Sequence, residues 1–241
     1  MKKLITMFAA GLVTVSMTAA LDVTAGVRGT FGIAAGTDFA GETKDSVESE
    51  EELMSYLGVD SSRIPNLGGG FGVYCNLGFI QLGAGTLGVQ PEFDMFFNNG
   101  LTEKFTQDSY WTSATFSTNS IDIPVLVTYT IPAGKVADFG FGAGPYISIP
   151  ISLNETAEDS DGTDYPYDDY TYFADGVNFG ALFDVNCGFK AGPGNIVLDI
   201  RYLFDFTNTK GHIEYNGSTS DTEDLFIRRT IIIGAGYEIK F

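Results

Sequence analysis

The sequence predicts an all-β protein, an eight-stranded antiparallel transmembrane β-barrel of the outer-membrane type. The first observation is the closing stretch from Ile231 to Phe241, where apolar residues alternate with small or polar ones. A period of two is typical of a strand with one apolar face. The second observation is that seven similar segments precede it, joined alternately by long loops and short turns. Outer-membrane barrels have long extracellular loops and short periplasmic turns.

The first 20 residues are predicted to form a secretory signal peptide. Two lysines precede an apolar run from Leu4 to Val15, and small residues end the segment at Ala20. This run is shorter than a membrane-spanning helix requires, although an uncleaved anchor is the alternative. We therefore expect cleavage after Ala20 and one barrel domain over residues 21–241.

Strands one to four are predicted at Asp22–Ala35, Gly70–Ile80, Thr86–Asn98 and Ser120–Ile131. In all four, the odd-numbered positions are mainly apolar and the even-numbered positions are small or polar. The loop from Thr37 to Leu67 includes a predicted short helix at Ser46–Leu57, which begins with a serine cap and acidic residues. Gln81–Gly85 is a predicted turn, and a second long loop ends near Asn119.

Strands five to eight are predicted at Val136–Ile149, Val177–Lys190, Ile196–Phe206 and Arg228–Phe241. The apolar positions are odd-numbered in three of these strands and even-numbered in the seventh. Short turns containing Pro and Gly precede strands five and seven, whereas long loops at Ile151–Gly176 and Thr207–Leu225 precede strands six and eight. A soluble barrel would place its apolar residues inside, but here the inward set is polar.

Composition narrows the function further. The chain carries 31 acidic and 13 basic residues, a formal net charge of −18, which argues against a nucleic-acid partner. Cys75 and Cys187 are predicted to point outward from strands on opposite sides of the barrel. A disulfide requires Cα atoms within about 7 Å, so both thiols are expected to be free.

Four segments, recurring in order, resemble the PorT-type outer-membrane β-barrel family: GVQPEF from Gly88, IDIPVLVTY from Ile121, GAGPYIS from Gly142 and LDIRYLFDFTN from Leu198. More broadly the chain is similar to the eight-stranded OmpA, OmpX and Ail-like barrels. The resemblance implies an integral outer-membrane protein, generally without an assigned enzymatic activity.

Four charged residues are predicted to point inward near mid-strand: Arg28, Glu92, Asp184 and Arg201. The interior of an eight-stranded barrel is just wide enough for side chains to fill. We expect these charges to neutralise one another and plug the lumen, with Asp184 and Arg201 as the best direct pair. A conducting or ligand-lined lumen is the alternative.

The four long loops contain 22 of the 31 acidic residues and four basic ones. Asp159, Asp161 and Asp164 have part of the spacing of a calcium loop, without its closing Glu, so they are a candidate Ca²⁺ site. A solvated, repulsive surface is the alternative interpretation.

Aromatic residues near strand ends are predicted to form the membrane girdles. The predicted girdle residues are Tyr129, Tyr172, Phe173, Phe189, Tyr237 and Phe241. Further tyrosines of the third loop could belong to the girdle or to an adhesive patch.

The preferred function is therefore a non-enzymatic membrane anchor whose acidic, aromatic-rich loops serve binding or envelope integrity. The alternative is a narrow channel or small-ligand transporter. A rim enzyme acting on lipid is less favoured, because no motif brings the only histidine, His212, together with Ser218 or Ser220. The expected partners of a monomeric barrel are the outer-membrane lipid bilayer, the barrel-insertion machinery and an extracellular ligand.

Overall fold

Eight long strands form the body of the protein. The computed structural model describes residues 22–34, 38–39, 54–161, 164–165, 170–215, 218–220 and 223–241. The predicted signal peptide lies outside these residues. The eight long strands are β1 (Asp22–Ile33), β2 (Leu67–Leu82), β3 (Gly85–Gln107), β4 (Tyr110–Ala133), β5 (Ala137–Asp159), β6 (Asn178–Ala191), β7 (Gly194–Asp205) and β8 (Arg229–Lys240).

Every strand pairs antiparallel with the next one along the chain, and β8 pairs with β1 to close the ring. The closing register runs from Thr24 opposite Lys240 to Ile33 opposite Ile231. The fold is therefore the predicted antiparallel eight-stranded barrel. A closed ring leaves no unpaired barrel edge, which is what a sheet inside a bilayer requires.

The two faces of the wall follow the alternation in the sequence. On β7, Ile200 is 60% exposed on the outer face, whereas the adjacent Arg201 is 1% exposed inside. Cys75 and Cys187 are free thiols, as expected. Among the described residues, no helix is long and apolar enough to cross a membrane.

The two ends of the barrel differ. At one end, which we term the turn end, tight turns join β2–β3, β4–β5 and β6–β7, and β1 begins there and β8 ends there. Each turn contains a glycine with a positive φ angle, between 60° and 74°, which side chains rarely tolerate: Gly83, Gly134 and Gly192. The opposite end, termed the loop end, holds the long connections.

Strands β3, β4 and β5 contain 23, 24 and 23 residues, far more than the roughly 9–11 needed to cross a membrane. The predicted second loop is therefore a strand hairpin that turns at Asp108. The prediction ended these strands early because bulges interrupt the alternation. One lies between Phe96 and Asn99, where Asn98 has a φ of 58°, and another lies at Asn119 and Ser120.

The connections at the loop end form further strands that the sequence analysis assigned to loops. Asp60–Pro65 pairs with the outer part of β3, and Asp164–Tyr165 with that of β5. A second sheet contains Asp38–Phe39, Tyr170–Asp175, Thr209–Tyr215, Ser218–Thr219 and Glu223–Ile227. Of the predicted helix at residues 46–57, residues 46–53 lie outside the described residues, and a helical turn covers residues 54–56.

Candidate functional site

The lumen contains a layer of six charged side chains, which we term the central ionic layer. Its members come from four strands, β1, β3, β6 and β7, and every one of them is at least 95% buried: Arg28, Glu92, Asp94, Asp184, Asp199 and Arg201. The four predicted lumen residues are all present in this layer. The interior alternation of the strands places them there, because each occupies an inward position.

Arg201 lies at the centre of the layer. Its guanidinium donates hydrogen bonds to Glu92 at 2.5 Å, to Asp94 at 3.1 Å and to Asp184 at 3.2 Å. Asp184 and Arg201 are also Cα partners on β6 and β7, as the predicted pair required. The side chain of Arg201 has no exposed surface, so these acceptors replace water around its charge.

Arg28 approaches the same two acids from β1. Its Nη2 donates to Glu92 at 2.5 Å and to Asp94 at 3.0 Å. Glu92 and Asp94 are therefore each shared by two guanidinium groups. Asp94 and Asp199 were not predicted as members of this layer, although the alternation of their strands makes both inward and each lies two residues from a predicted member.

An apolar layer closes the lumen beyond the central ionic layer, toward the loop end. Six side chains, each at most 2% exposed, form it: Phe96, Leu126, Tyr146, Leu182, Leu203 and Ile232. The sequence prediction that the inward set is polar is thus incomplete. All six occupy positions that the alternation of their strands makes inward. Their orientation was therefore predicted, and only their apolar character was overlooked.

A second set of polar and charged side chains, the outer ionic layer, lies on the loop-end side of the apolar layer. It consists of Ser120, Asp122, Asp205 and Arg228, together with the hydroxyl group of Tyr146, whose ring belongs to the apolar layer. Arg228 donates to Ser120 at 3.0 Å and lies 3.1 Å from a carboxylate oxygen of Asp122 and 3.6 Å from one of Asp205. The Tyr146 hydroxyl donates to Asp205. Along β7 the order Arg201, Leu203, Asp205 passes through all three layers.

The turn end of the lumen is not filled. A cavity of about 60 Å³ lies below the central ionic layer, and another of about 130 Å³ lies at the mouth. Polar and charged side chains predominate in the lining of both cavities, with Arg28 in the smaller one and Lys240 at the mouth. Both cavities touch Glu238, which accepts hydrogen bonds from Tyr74 at 3.1 Å and Asn195 at 2.8 Å.

His212 lies in the second sheet, outside the barrel. Its Nδ1 hydrogen-bonds Asp175, and its ring stacks on Phe173 with the centroids 5.0 Å apart. The strands Thr209–Tyr215 and Tyr170–Asp175 pair to bring these residues together. The imidazole is thus oriented by Asp175 and Phe173, a contact that sequence reasoning missed because it had no means of pairing two distant loops.

The candidate calcium residues are placed as follows. Asp159 is buried at the end of β5, and one of its carboxylate oxygens accepts a hydrogen bond from the backbone amide of Asp161 at 2.9 Å. The side chain of Asp164 lies outside the described residues. Within the described part of the chain, no three ligand-type side chains converge on a metal position. Calcium binding stays a prediction.

Of the predicted girdle residues, four lie at the turn end. Tyr129 donates to the Leu82 carbonyl at 2.8 Å and Tyr237 to the Ala191 carbonyl at 3.0 Å, while Phe189 and Phe241 are exposed on the outer face. Phe173 lies in the second sheet, and only the backbone of Tyr172 is described. The outer girdle therefore stays a prediction.

The family of the chain follows from its sequence. Residues 25–211 match the model of the outer membrane protein beta-barrel domain family. The chain belongs to this family. It is accordingly an integral protein of the bacterial outer membrane, with its turn end in the periplasm and its loop end outside the cell. The narrower PorT-type resemblance stays a prediction.

The comparison with solved structures finds outer-membrane proteins at low sequence identity. The outer membrane protein OprG of Pseudomonas aeruginosa is 9% identical, with 92% of this chain and 97% of that chain covered and a TM-score of 0.49. Neisserial surface protein A is 10% identical, with 91% of this chain and 97% of that chain covered and a TM-score of 0.42. Ail of Yersinia pestis is 12% identical, with 92% of this chain and 100% of that chain covered and a TM-score of 0.38. No curated protein matches the sequence.

Proposed function

We propose that the protein is a closed outer-membrane anchor that presents an acidic, aromatic-rich surface outside the cell for binding or envelope integrity. The observation that carries this proposal is the filling of the lumen. The apolar layer is sealed by Leu126, Leu203 and Ile232, each with no exposed surface. A hydrated ion passing through would have to leave its water shell beside these side chains, which is strongly unfavourable.

The ionic layers support the same conclusion, because their charges neutralise one another across the lumen rather than facing a water column. Removing Arg201 from its three acceptors would leave buried carboxylates uncompensated. The interior is therefore best described as the structural core of the barrel, and the protein is not assigned an enzymatic activity.

The binding role is supported by the outer part of the molecule. Strands β3, β4 and β5 continue well past membrane length, and the second sheet is formed by the connections that carry most of the acidic residues. The partner class that fits this charge is a basic surface or a divalent cation.

Single-molecule conductance tests the proposal directly. The refolded mature chain would be inserted into a planar bilayer, with folding confirmed by circular dichroism and insertion confirmed by protease protection of the barrel strands. We expect no conductance steps. Stable, voltage-independent steps would overturn the closed-lumen proposal and favour the narrow channel or small-ligand transporter instead.

The binding surface has a separate test. Protein in vesicles of neutral lipid would be exposed to fluorescent poly-lysine, and a variant with Asp161, Asp164, Asp168 and Asp169 replaced by Asn would be compared. We expect this variant to retain the barrel and to bind less poly-lysine. Equal binding by both proteins would contradict a role for the acidic third connection.

A further inference from the structure

We propose that the barrel wall contains an opening seam, a band of weak strand pairing at which neighbouring strands separate locally inside the bilayer while the lumen stays sealed. The seam is defined by three prolines, Pro91 on β3, Pro124 on β4 and Pro145 on β5. This conformational property goes beyond the proposed function, because a barrel that conducts nothing along its axis is not thereby rigid around its circumference.

The register shows where each of the three prolines is paired. On the following strand each has a direct partner, and these partners are, in order, Val125, Tyr146 and Ala181. On the preceding strand the pairing is interrupted at the residue opposite each proline, and these residues are, in the same order, Cys75, Glu92 and Val125. The other five strand pairings of the barrel run without a break.

The missing backbone donor of proline explains these interruptions. Proline has no N–H, so it donates no hydrogen bond to the strand that its nitrogen faces. In an antiparallel ladder, pairs that exchange hydrogen bonds alternate with pairs that exchange none. Since each proline is paired on one side only, its nitrogen faces the preceding strand, and the carbonyl opposite lacks its donor there. Inside a bilayer no lipid group replaces that donor, so the pairing is weak at this position.

The three interruptions lie side by side in the wall. Pro91 lies opposite Val125, and Val125 in turn lies opposite Pro145, so these residues form one row across β3, β4 and β5. Pro124 is the neighbour of Val125 in the adjacent row. Three consecutive strand pairings, between β2 and β5, are thus weakened within a single band. Weak pairing on the adjacent strands helps any one pair to separate, which prolines scattered around the ring would not do.

Polar side chains lie directly behind this band, on the inner face of the wall. The Asn76 amide donates to Gln90 at 2.9 Å and to Thr128 at 3.1 Å, which links β2, β3 and β4 beside the interruption at Pro91. The smaller turn-end cavity is lined by these three side chains. When the strands separate, water entering through this cavity solvates the carbonyl that lacks a donor. The side-chain bonds thus hold the closed state, and the cavity makes the open state less costly.

Amide hydrogen exchange of the refolded mature chain, followed by NMR in neutral detergent micelles, tests the seam because exchange reports local opening. Val125, opposite Pro145, is compared with Val185, which lies opposite Ile200 in an unbroken pairing. Both valines are about half exposed on the lipid face. We expect the Val125 amide to exchange about ten times faster than the Val185 amide. Equal rates at the two valines would overturn the proposal.

Restoring the donor locates the effect. Pro145→Ala returns the missing N–H opposite Val125 and is expected to slow exchange of the Val125 amide about tenfold, because one more hydrogen bond must break before the strands separate. Pro132→Ala, at the exposed turn end of β4, is the matched control and is expected to leave that rate unchanged. Exchange at Val125 that stays equally fast in Pro145→Ala would contradict the role of the missing donor.

The two native thiols give a second measurement, which also covers the case in which Pro145→Ala does not fold. Cys75 lies at the interruption opposite Pro91, whereas Cys187 lies in the unbroken pairings of β6. A thiol reacts as its thiolate, which forms only where water reaches it. With a neutral maleimide and protein in lipid vesicles, Pro91→Ala is expected to slow labelling of Cys75 about fivefold and to leave Cys187 unchanged. No change at Cys75, or equal changes at both thiols, would overturn the seam.

Discussion

Arg201 of β7 donates a hydrogen bond of 2.5 Å to Glu92 of β3 across the full width of the barrel. In the ring of eight strands β3 and β7 are four strands apart, so this bond joins opposite walls. Arg228, next to the first residue of β8, lies 3.1 Å from Asp122 on β4, which is also the opposite strand. Two ion pairs at different heights therefore brace the barrel across two diameters.

Removing the guanidinium group of Arg201 is expected to destabilise the barrel severely. Arg201→Met would leave Asp184 without a guanidinium partner and would leave Glu92 and Asp94 with Arg28 alone. Breaking a buried ion pair costs about 3–5 kcal/mol. Urea unfolding of the refolded protein in lipid vesicles measures the loss. The exposed Lys190→Met is the matched control. A loss below about 1 kcal/mol for Arg201→Met would contradict the structural role of the network.

Glycines leave the space that the ionic layer occupies. A Cβ atom at Gly72 would lie 1.7 Å from Oδ1 of Asp94, which is fixed by Arg28 and Arg201. Gly72→Ala is therefore expected to lower the free energy of unfolding by about 1–3 kcal/mol. At Gly29, on the neighbouring strand, an added Cβ meets nothing within 4 Å. Gly29→Ala should unfold at the urea concentration of the parent, and equal losses for both variants would refute the packing argument.

The apolar layer predicts a contrast between adjacent residues. Leu126→Ala would open a cavity in the sealed lumen and is expected to cost about 2–5 kcal/mol. Val127→Ala, one residue along and 56% exposed on the lipid face, is expected to cost much less because lipid fills the space. Urea midpoints of the two variants decide between them. If Val127→Ala proved the more damaging, the inward layer would not be the core.

His212 is expected to stabilise the second sheet and not the barrel. His212→Ala removes the bond to Asp175 and the stacking on Phe173. Amide hydrogen exchange of Tyr170–Asp175 and Thr209–Tyr215 should accelerate, while exchange of β6 and β7 and urea unfolding of the barrel stay unchanged. Lys210→Ala, which breaks only an exposed ion pair of 3.5 Å with Asp224, is the control. Unchanged exchange together with lost lipid hydrolysis would instead indicate catalysis by His212.

Calcium provides a prediction that rests on the sequence pattern. If Asp159, Asp161 and Asp164 bind Ca²⁺, isothermal titration of the refolded protein with millimolar CaCl₂ should release or absorb heat, and Asp161→Asn should reduce it. Asp108→Asn, in the neighbouring hairpin, is the matched control. If the parent protein gives no heat of binding, the predicted calcium site on this surface is contradicted.

The alternation of apolar and polar residues predicted which side chains face the lumen, because the direction of a side chain depends only on its position along its own strand. Each inward residue of β7, from Asp199 through Arg201 to Asp205, could be assigned to the lumen from its own strand. The position of a residue along the barrel axis depends on other strands as well. Arg228 and Asp122 meet only because strand tilt and register bring residues 106 apart in sequence to the same level of the barrel. The alternation therefore places the charged residues inside the barrel but does not separate the two ionic layers.

The features that sequence reasoning missed depend on breaks in periodicity or on distant pairing. The bulge around Asn98 shifts the phase of β3, which made the outer part of that strand look like a loop. The second sheet requires Tyr170–Asp175 to meet Thr209–Tyr215, and neither segment reveals its partner through its own pattern. Asp175 was accordingly not identified as the partner of His212.

Pairing of β1 with β8 joins the two barrel strands that lie furthest apart along the chain. Without that pairing, β1 and β8 would be free edges, and the lumen would open to water beside Arg28 on β1. The six charged groups of the central ionic layer are therefore withdrawn from water only in the closed ring. Closure of the wall and dehydration of its charged core are coupled, so a substitution that weakens the pairing of those charges also weakens the closure of the barrel.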